Sequence, residues 1–282
     1  MQFQYTHYIL PLVAASIIAG FVAVNVWRWR ATASGAKALV LLALTIAVWS
    51  LGYALEIAGA DLPTKIFWGK SQYIGIGTIP LLWVIFTYSY LTQGTRLTRR
   101  NVTLLSIVPL ITLILAFTTE FHGLIWKDIQ IHTVGTFSAL DVTHGFWFWV
   151  YWIYSNILLL AGTIFVFRSF KRTKGLFRRQ NVLLLIAVLA PWVGNVLYVT
   201  GLSPIPNLDI TPFAFTISVV VFALGIYRFQ LGNLAPVGRD LVVEKMPDGM
   251  IVLDAQGYIV DINPALQKAL RIPASQGIGQ RA

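Results

Sequence analysis

Residues 38–60 read ALVLLALTIAVWSLGYALEIAGA, a run without a charge from Ala38 until Glu56. A helix rises about 1.5 Å per residue, so roughly 20 such residues cross the ~30 Å of hydrocarbon in a bilayer. Carried outward along the chain, the same length test finds seven spans, at about 8–27, 38–60, 68–91, 101–119, 146–167, 181–201 and 212–230. The composition agrees: of 282 residues 57% are hydrophobic and only 11% charged, which excludes a secreted domain, a disordered tail and an ordinary cytosolic enzyme. The expected fold is therefore an all-α membrane protein, a seven-transmembrane helix bundle. The chain has no cysteine, which removes disulfides, thiolate metal sites and cysteine nucleophiles. No basic region precedes the first apolar run and no small-residue cleavage site ends it, so it reads as a retained span.

The loops sort by charge. Twelve basic residues fall in the first, third and fifth connections, among them Arg28, Lys37, Arg99, Arg168 and Arg179. The opposite side holds Lys65, Lys70 and Lys127 together with all six acids of the first 232 residues. By the positive-inside rule the N-terminus lies outside and the C-terminus in the cytoplasm. The net charge of +10 belongs wholly to the membrane part, because residues 233–282 carry five basic and five acidic groups. It reads as a topology signal that meets anionic lipid headgroups, making membrane lipid the expected partner and nucleic acid not. Trp27, Trp29, Trp68, Trp126, Trp147, Trp149 and Trp152 crowd the span ends, where indole rings anchor at headgroup depth.

Near residue 232 the hydropathy collapses. Arg239–Met246 reads as a short helix, and Met250–Leu253 and Tyr258–Ile262 read as strands around the turn Asp254-Ala-Gln-Gly257. Asn263 and Pro264 supply a cap and a first-turn proline for another helix. The string from Met246 to Ala265, MPDGMIVLDAQGYIVDINPA, resembles the opening of a PAS domain. Residues 240–282 offer only the first two strands and first helix of that α+β fold, an incomplete segment. About 40 residues bury too little surface for independent stability, so this tail is expected to be disordered or loosely docked when made alone.

Three blocks in the membrane part carry a second resemblance. The first is Trp49-Ser-Leu-Gly-Tyr-Ala-Leu-Glu56 followed by Lys65, Trp68, Gln72-Tyr73, Pro80 and Trp83. The second is Thr119-Glu-Phe-His-Gly-Leu-Ile-Trp126 before the aromatic entry Gly145-Phe-Trp-Phe-Trp149. The third runs from Ala190-Pro-Trp-Val-Gly-Asn-Val-Leu-Tyr198 through Leu208-Asp-Ile-Thr-Pro-Phe213 to Gly225. Together these resemble the seven-helix N-terminal sensor region of bacterial and archaeal histidine kinases. The resemblance implies a multi-pass protein of a prokaryotic plasma membrane. It also implies sensing at the outer face or in the bilayer, relayed to cytoplasmic PAS and kinase modules, with a homodimer in the full-length form. All four histidines lie on the outer side and the tail has no glycine-rich ATP-binding stretch, so this chain itself is not expected to be an enzyme or to need a cofactor.

Glu56 sits about one turn inside the outer end of the second span, on one face with Trp49, Gly52 and Tyr53. An intramembrane carboxylate is costly and needs a partner, which Lys65 or Lys70 is expected to supply as a structural ion pair; the alternative is a ligand-facing group. The aromatic residues Trp68, Tyr73, Trp83, Trp126, Trp147, Trp192 and Tyr198 would line an apolar cavity in the outer half, suited to a small or lipid-like ligand. Asn25, Ser155, Asn156 and Asn195 are expected to hydrogen-bond between helices. Asp209 either complements the start of the last span, where Thr211 would be the cap, or stands on the rim of that cavity. The outer loop 119–145 holds His122, His132 and His144 with three acids, the donor types of a metal site, but no compact spacing, so no metal is expected. Its alternation from Ile129 to Phe137 suits a small hairpin over the bundle mouth. The candidate ligand residues are thus Glu56, Lys65, Trp68, Tyr73, His122, Trp126, Trp147, Trp192, Asn195 and Asp209.

Competing functions are weaker. Pro212 to Gln230 contains no lysine for a retinal Schiff base, and no paired broken helices point to a transporter. A membrane sensory input module is the leading reading, with a stand-alone interaction or scaffold protein as the alternative.

Overall fold

In the computed structural model the chain divides into two units, Met1–Gly232 and Asn233–Ala282. The structure describes residues 1–28, 35–92, 97–134, 137–172, 175–205, 207–229, 243, 245–254, 256–271, 273 and 277–281. Residues 230–242 and 244, which include most of the short helix expected at 239–246, lie outside the described residues.

The first unit is a helical bundle. Its elements are α1 (Ile9–Trp27), α2 (Ala36–Ala58), α3 (Leu62–Ser71), α4 (Tyr73–Leu91), α5 (Arg99–Phe117) and the single turn α6 (Thr119–His122). A hairpin of β1 (Trp126–Val134) and β2 (Phe137–His144) follows, then α7 (Phe146–Arg172), α8 (Gly175–Val199) and α9 (Thr211–Phe229). Among the described residues six helical segments are long and apolar enough to cross a membrane, and α9 adds a shorter apolar stretch, Thr211–Gly225. The third span begins at Leu62 and not near 68, because α3 and α4 run together as one apolar segment to Leu91. Asp61 caps α3 by accepting from the Thr64 N–H at 3.1 Å, and the Thr64 hydroxyl bonded to the same carboxylate holds Asp61 down at about 2.

Small residues set the helix spacing. Ala15, Ala19 and Ala23 of α1 are buried, and the Ser16 hydroxyl donates to Ala47 O of α2 at 3.0 Å. Gly75 of α4 lies so close to α2 that a Cβ there would stand 2.7 Å from Trp49 Cβ and 2.8 Å from Thr45 O. Between α7 and α8 two Trp–Asn bonds cross in opposite directions: Trp152 Nε1 donates to Asn195 Oδ1 at 3.1 Å, and Trp192 Nε1 to Asn156 Oδ1 at 2.7 Å. Asn25 and Ser155, expected to bridge helices, instead donate to Phe21 O and Trp152 O within their own helices. That choice is available because a short polar side chain reaches the carbonyl one turn back.

One end of the bundle is closed by polypeptide. The N-terminal segment pairs with the α2–α3 turn through Gln4 N to Ala58 O at 2.7 Å and Ala60 N to Gln2 O at 2.9 Å. The hairpin is longer than the alternation implied, running in antiparallel register from Trp126 opposite His144 to Val134 opposite Phe137. It returns to the bundle through Gly145, where a Cβ would lie 2.3 Å from the carbonyl oxygens of both Gly123 and Leu124. The second unit carries strands β3 (Ile251–Leu253) and β4 (Ile259–Ile262), paired antiparallel, and α10 (Pro264–Leu270), capped by Asn263 through the Leu266 N–H at 3.0 Å. β3 is exposed along its length and α10 buries no residue, so this unit contributes little core.

Candidate functional site

Beneath the hairpin the helices diverge around a cavity of about 170 Å³. An apolar cavity of ~150 Å³ already accepts benzene, so this one has room for a small organic molecule. Its walls come from α2, α3, α4, α7, α8 and α9, with the hairpin as a roof. Leu42, Ile46, Val188 and Phe222 line the deep part, and Glu56, Gln72, Asn195, Asn207 and Asp209 line the other. From Leu42 to Glu56 the wall follows α2 for about 21 Å at 1.5 Å per residue, giving an apolar interior that ends in a polar, acidic mouth.

Six of the ten candidates meet here: Glu56, Tyr73, Trp126, Trp192, Asn195 and Asp209 all line the cavity. Trp83 and Tyr198 of the expected aromatic wall do so too. The walls are cross-braced, with Trp49 edge-on to Phe215 of α9 at 5.0 Å and Tyr73 edge-on to Trp126 of the hairpin at 5.8 Å. Trp126 is buried in this wall and is not a headgroup anchor, whereas Trp27 and Trp149 are exposed as anchors should be.

Four candidates stand elsewhere. The ion pair expected between Glu56 and Lys65 or Lys70 does not form. Lys65, with 0% of its surface exposed, donates from Nζ to Glu56 O at 2.9 Å, Ile57 O at 3.4 Å and Ser138 O at 2.6 Å. The carbonyls at the C-terminal end of α2 keep lone pairs free for further donors and are closer competitors for the ammonium than the carboxylate. Lys70 pairs with Glu120, whose carboxyl is held below its usual range: partial desolvation opposes this, but the Lys70 ammonium outweighs it. The Glu56 carboxylate accepts instead from the Gln72 amide. Trp68 packs edge-on against Phe67, and Trp147 donates to Thr112 Oγ1 of α5 at 2.9 Å. His122 is exposed and bonds locally to Thr118 and Leu124.

Residues outside the set of candidate ligand residues complete the mouth. His144, at the end of β2, stacks on Phe148 with 3.6 Å between ring centroids, lines the cavity and has a buried Nδ1 without a partner. Burial holds its imidazole down at about 4, so it is neutral near pH 7. Gln72 orients Glu56, and the Tyr53 hydroxyl accepts from the Asp209 N–H at 2.7 Å. The Asp209 carboxylate accepts from the Thr211 N–H at 2.8 Å, so Asp209 does the capping expected of Thr211. Burial pushes the Asp209 carboxyl up to about 6. Among the described residues no three of His, Asp and Glu gather as a metal site would require.

Among the described residues the mouth holds carboxylates, amides and indoles, groups that offer a ligand charge, hydrogen bonds and aromatic faces. A family model described as the N-terminal 7TM region of histidine kinase matches residues 11–236. A model of the PAS fold matches residues 239–281. No curated protein matches the chain.

Proposed function

The chain belongs to the family of N-terminal 7TM regions of histidine kinases, and on that premise we propose that its cavity is the stimulus-binding site, with occupancy relayed through α9 to the PAS-like unit. The membrane part is a multi-pass sensory input module. The hairpin end faces the extracytoplasmic side of a prokaryotic plasma membrane, because the basic residues Arg99, Arg100, Arg168, Arg178 and Arg179 belong to the other end. The output is a cytoplasmic histidine kinase that follows the PAS fold, and the working form is a homodimer.

The observation that carries this reading is the composition of the wall. Thr211, Phe215, Ser218 and Phe222 of α9 all line the cavity, and α9 is the last span before the PAS-like unit. A ligand pressing on that face acts on the one helix that continues toward the cytoplasmic modules, so a small shift or rotation of α9 is the relay. The Ser218 hydroxyl donates to Ala187 O of α8 at 2.6 Å, which makes the α8–α9 contact close enough to be locked.

Residues 1–282 hold no cysteine to compete within the membrane part, so a pair introduced as Ala187→Cys and Ser218→Cys is a lock for this contact, judged against the parent kinase under the same oxidation. The autophosphorylation rate of the natural kinase carrying this pair should change several-fold on oxidation and return with reductant. An unchanged rate with the disulfide formed removes α9 as the relay.

A further inference from the structure

We infer that the ligand is a small amphipathic organic cation, its ammonium group held between Glu56 and Asp209 and its apolar body lying along the deep part of the cavity. This rests on the reading of the cavity as a ligand site and goes on to assign the chemistry of what enters. Both carboxylates line the mouth and neither forms an ion pair among the described residues. Lys65 acts on Glu56 through its field, but its three protons go to carbonyls and it does not line the cavity. Among the described residues no Lys or Arg lines the cavity, and His144 is neutral near pH 7. Burial disfavours the charged form of both carboxylates, and an ammonium placed between them restores it, so the geometry favours one monovalent cation at this end of the cavity.

The wall chemistry makes the same request independently. Indole and phenol rings from Trp49, Tyr53, Tyr73, Trp126, Trp192 and Tyr198 line the same cavity as the carboxylates, and aromatic faces attract a desolvated ammonium. Trp49 Nε1 and Trp83 Nε1 belong to cavity-lining side chains more than nine-tenths buried, and neither has a partner among the described residues. A buried donor left unsatisfied is destabilising, and a hydroxyl or ether oxygen on the ligand would satisfy it. An apolar body, one ammonium and one oxygen acceptor are therefore the features the site selects.

The test compares three molecules of one shape on the whole chain in lipid nanodiscs at neutral pH. Phenylethanolamine in its ammonium form is set against its neutral isostere phenylethylene glycol and its anionic counterpart mandelate. The expected result is binding of the ammonium at least about ten-fold tighter than of the glycol, with mandelate weakest. Glu56→Gln and Asp209→Asn should each weaken the ammonium by about ten-fold while leaving the glycol unchanged. Glycol or mandelate binding as tightly as the ammonium overturns the assignment of charge. If that binding is abolished by Ser155→Phe, which fills the wall on α7, the ligand cavity itself stands; if Ser155→Phe leaves it unaltered, the cavity reading falls too. No measurable binding of the ammonium at millimolar concentration also overturns the inference. The comparison of isosteres on the unaltered protein holds whether or not the variants fold.

Discussion

Lys65→Met tests how the roof of the cavity is held. Methionine keeps a long apolar side chain at a site with 0% exposure, so no large void opens, but the ammonium that ties three backbone segments together is lost. Two of its bonds are short, 2.9 Å to Glu56 O at the end of α2 and 2.6 Å to Ser138 O in β2, and the third, to Ile57 O, is 3.4 Å. A hydrogen bond from a charged donor contributes a net ~1.5–3 kcal/mol, so the two short ones together give ~3–6 kcal/mol. The substitution also relieves the desolvation of the ammonium, which places the expected loss at the lower end, ~3 kcal/mol. Denaturant unfolding in mixed micelles measures the global loss, and hydrogen exchange in residues 137–144 measures the local one. Exchange there should rise before the helices open, since Ser138 is the strand's link to α3. A loss under ~1 kcal/mol with unchanged hairpin exchange refutes the clamp.

Gly75→Ala and Gly77→Ala, two residues apart in α4, should part company. Each gains up to ~1 kcal/mol of helix propensity, but the Cβ at 75 collides with Trp49 and Thr45, whereas at 77 the nearest atom is Pro109 O at 3.8 Å. Unfolding should show Gly77→Ala neutral or stabilising and Gly75→Ala less stable than it by ~1–3 kcal/mol; equal values would mean α2 and α4 are not in close contact. The mouth should also contribute two opposed pH dependences. Because His144 sits at about 4 against an ordinary 6.5, the unfolded chain binds the extra proton and stability falls as pH drops through that window. Because Asp209 sits at about 6 against 3.8, the folded chain binds the extra proton and stability falls as pH rises from 3.8 to about 6. His144→Phe, which keeps the stack on Phe148, removes the first slope and Asp209→Asn the second, so unfolding profiles of the two variants should diverge from the parent in opposite senses. Parallel profiles would refute the burial of both groups.

The spans were legible because hydrocarbon thickness imposes a length that uncharged runs such as 38–60 declare openly. The start of α3 was not, since Lys65 and Lys70 interrupt the hydropathy, and only the folded chain reveals that carbonyls and Glu120 satisfy them. The same two lysines misled the pairing of Glu56. Nine residues separate Glu56 from Lys65 in sequence, yet the ammonium meets the Glu56 backbone and not its side chain. Sequence cannot rank a carboxylate against helix-end carbonyls, because both stand at the same turn. The aromatic wall was legible as a set, but Trp147 faces Thr112 of α5, a partner whose position depends on how the helices cross. His144 had a readable signal, lying at the end of a strand alternation and immediately before the Gly145–Trp149 entry into α7.

The central claim is that the cavity governs the output. The most direct measurement is the autophosphorylation rate of the natural kinase carrying Ser155→Phe, beside the same protein carrying Ile157→Phe. Both changes lie on α7, but Ser155 lines the cavity and Ile157 is 59% exposed on the outer face of the bundle. Filling the cavity should shift the rate several-fold without added ligand, while Ile157→Phe leaves it at the parent value. Equal rates for the two variants, in proteins of equal stability, would contradict a sensing role for this cavity.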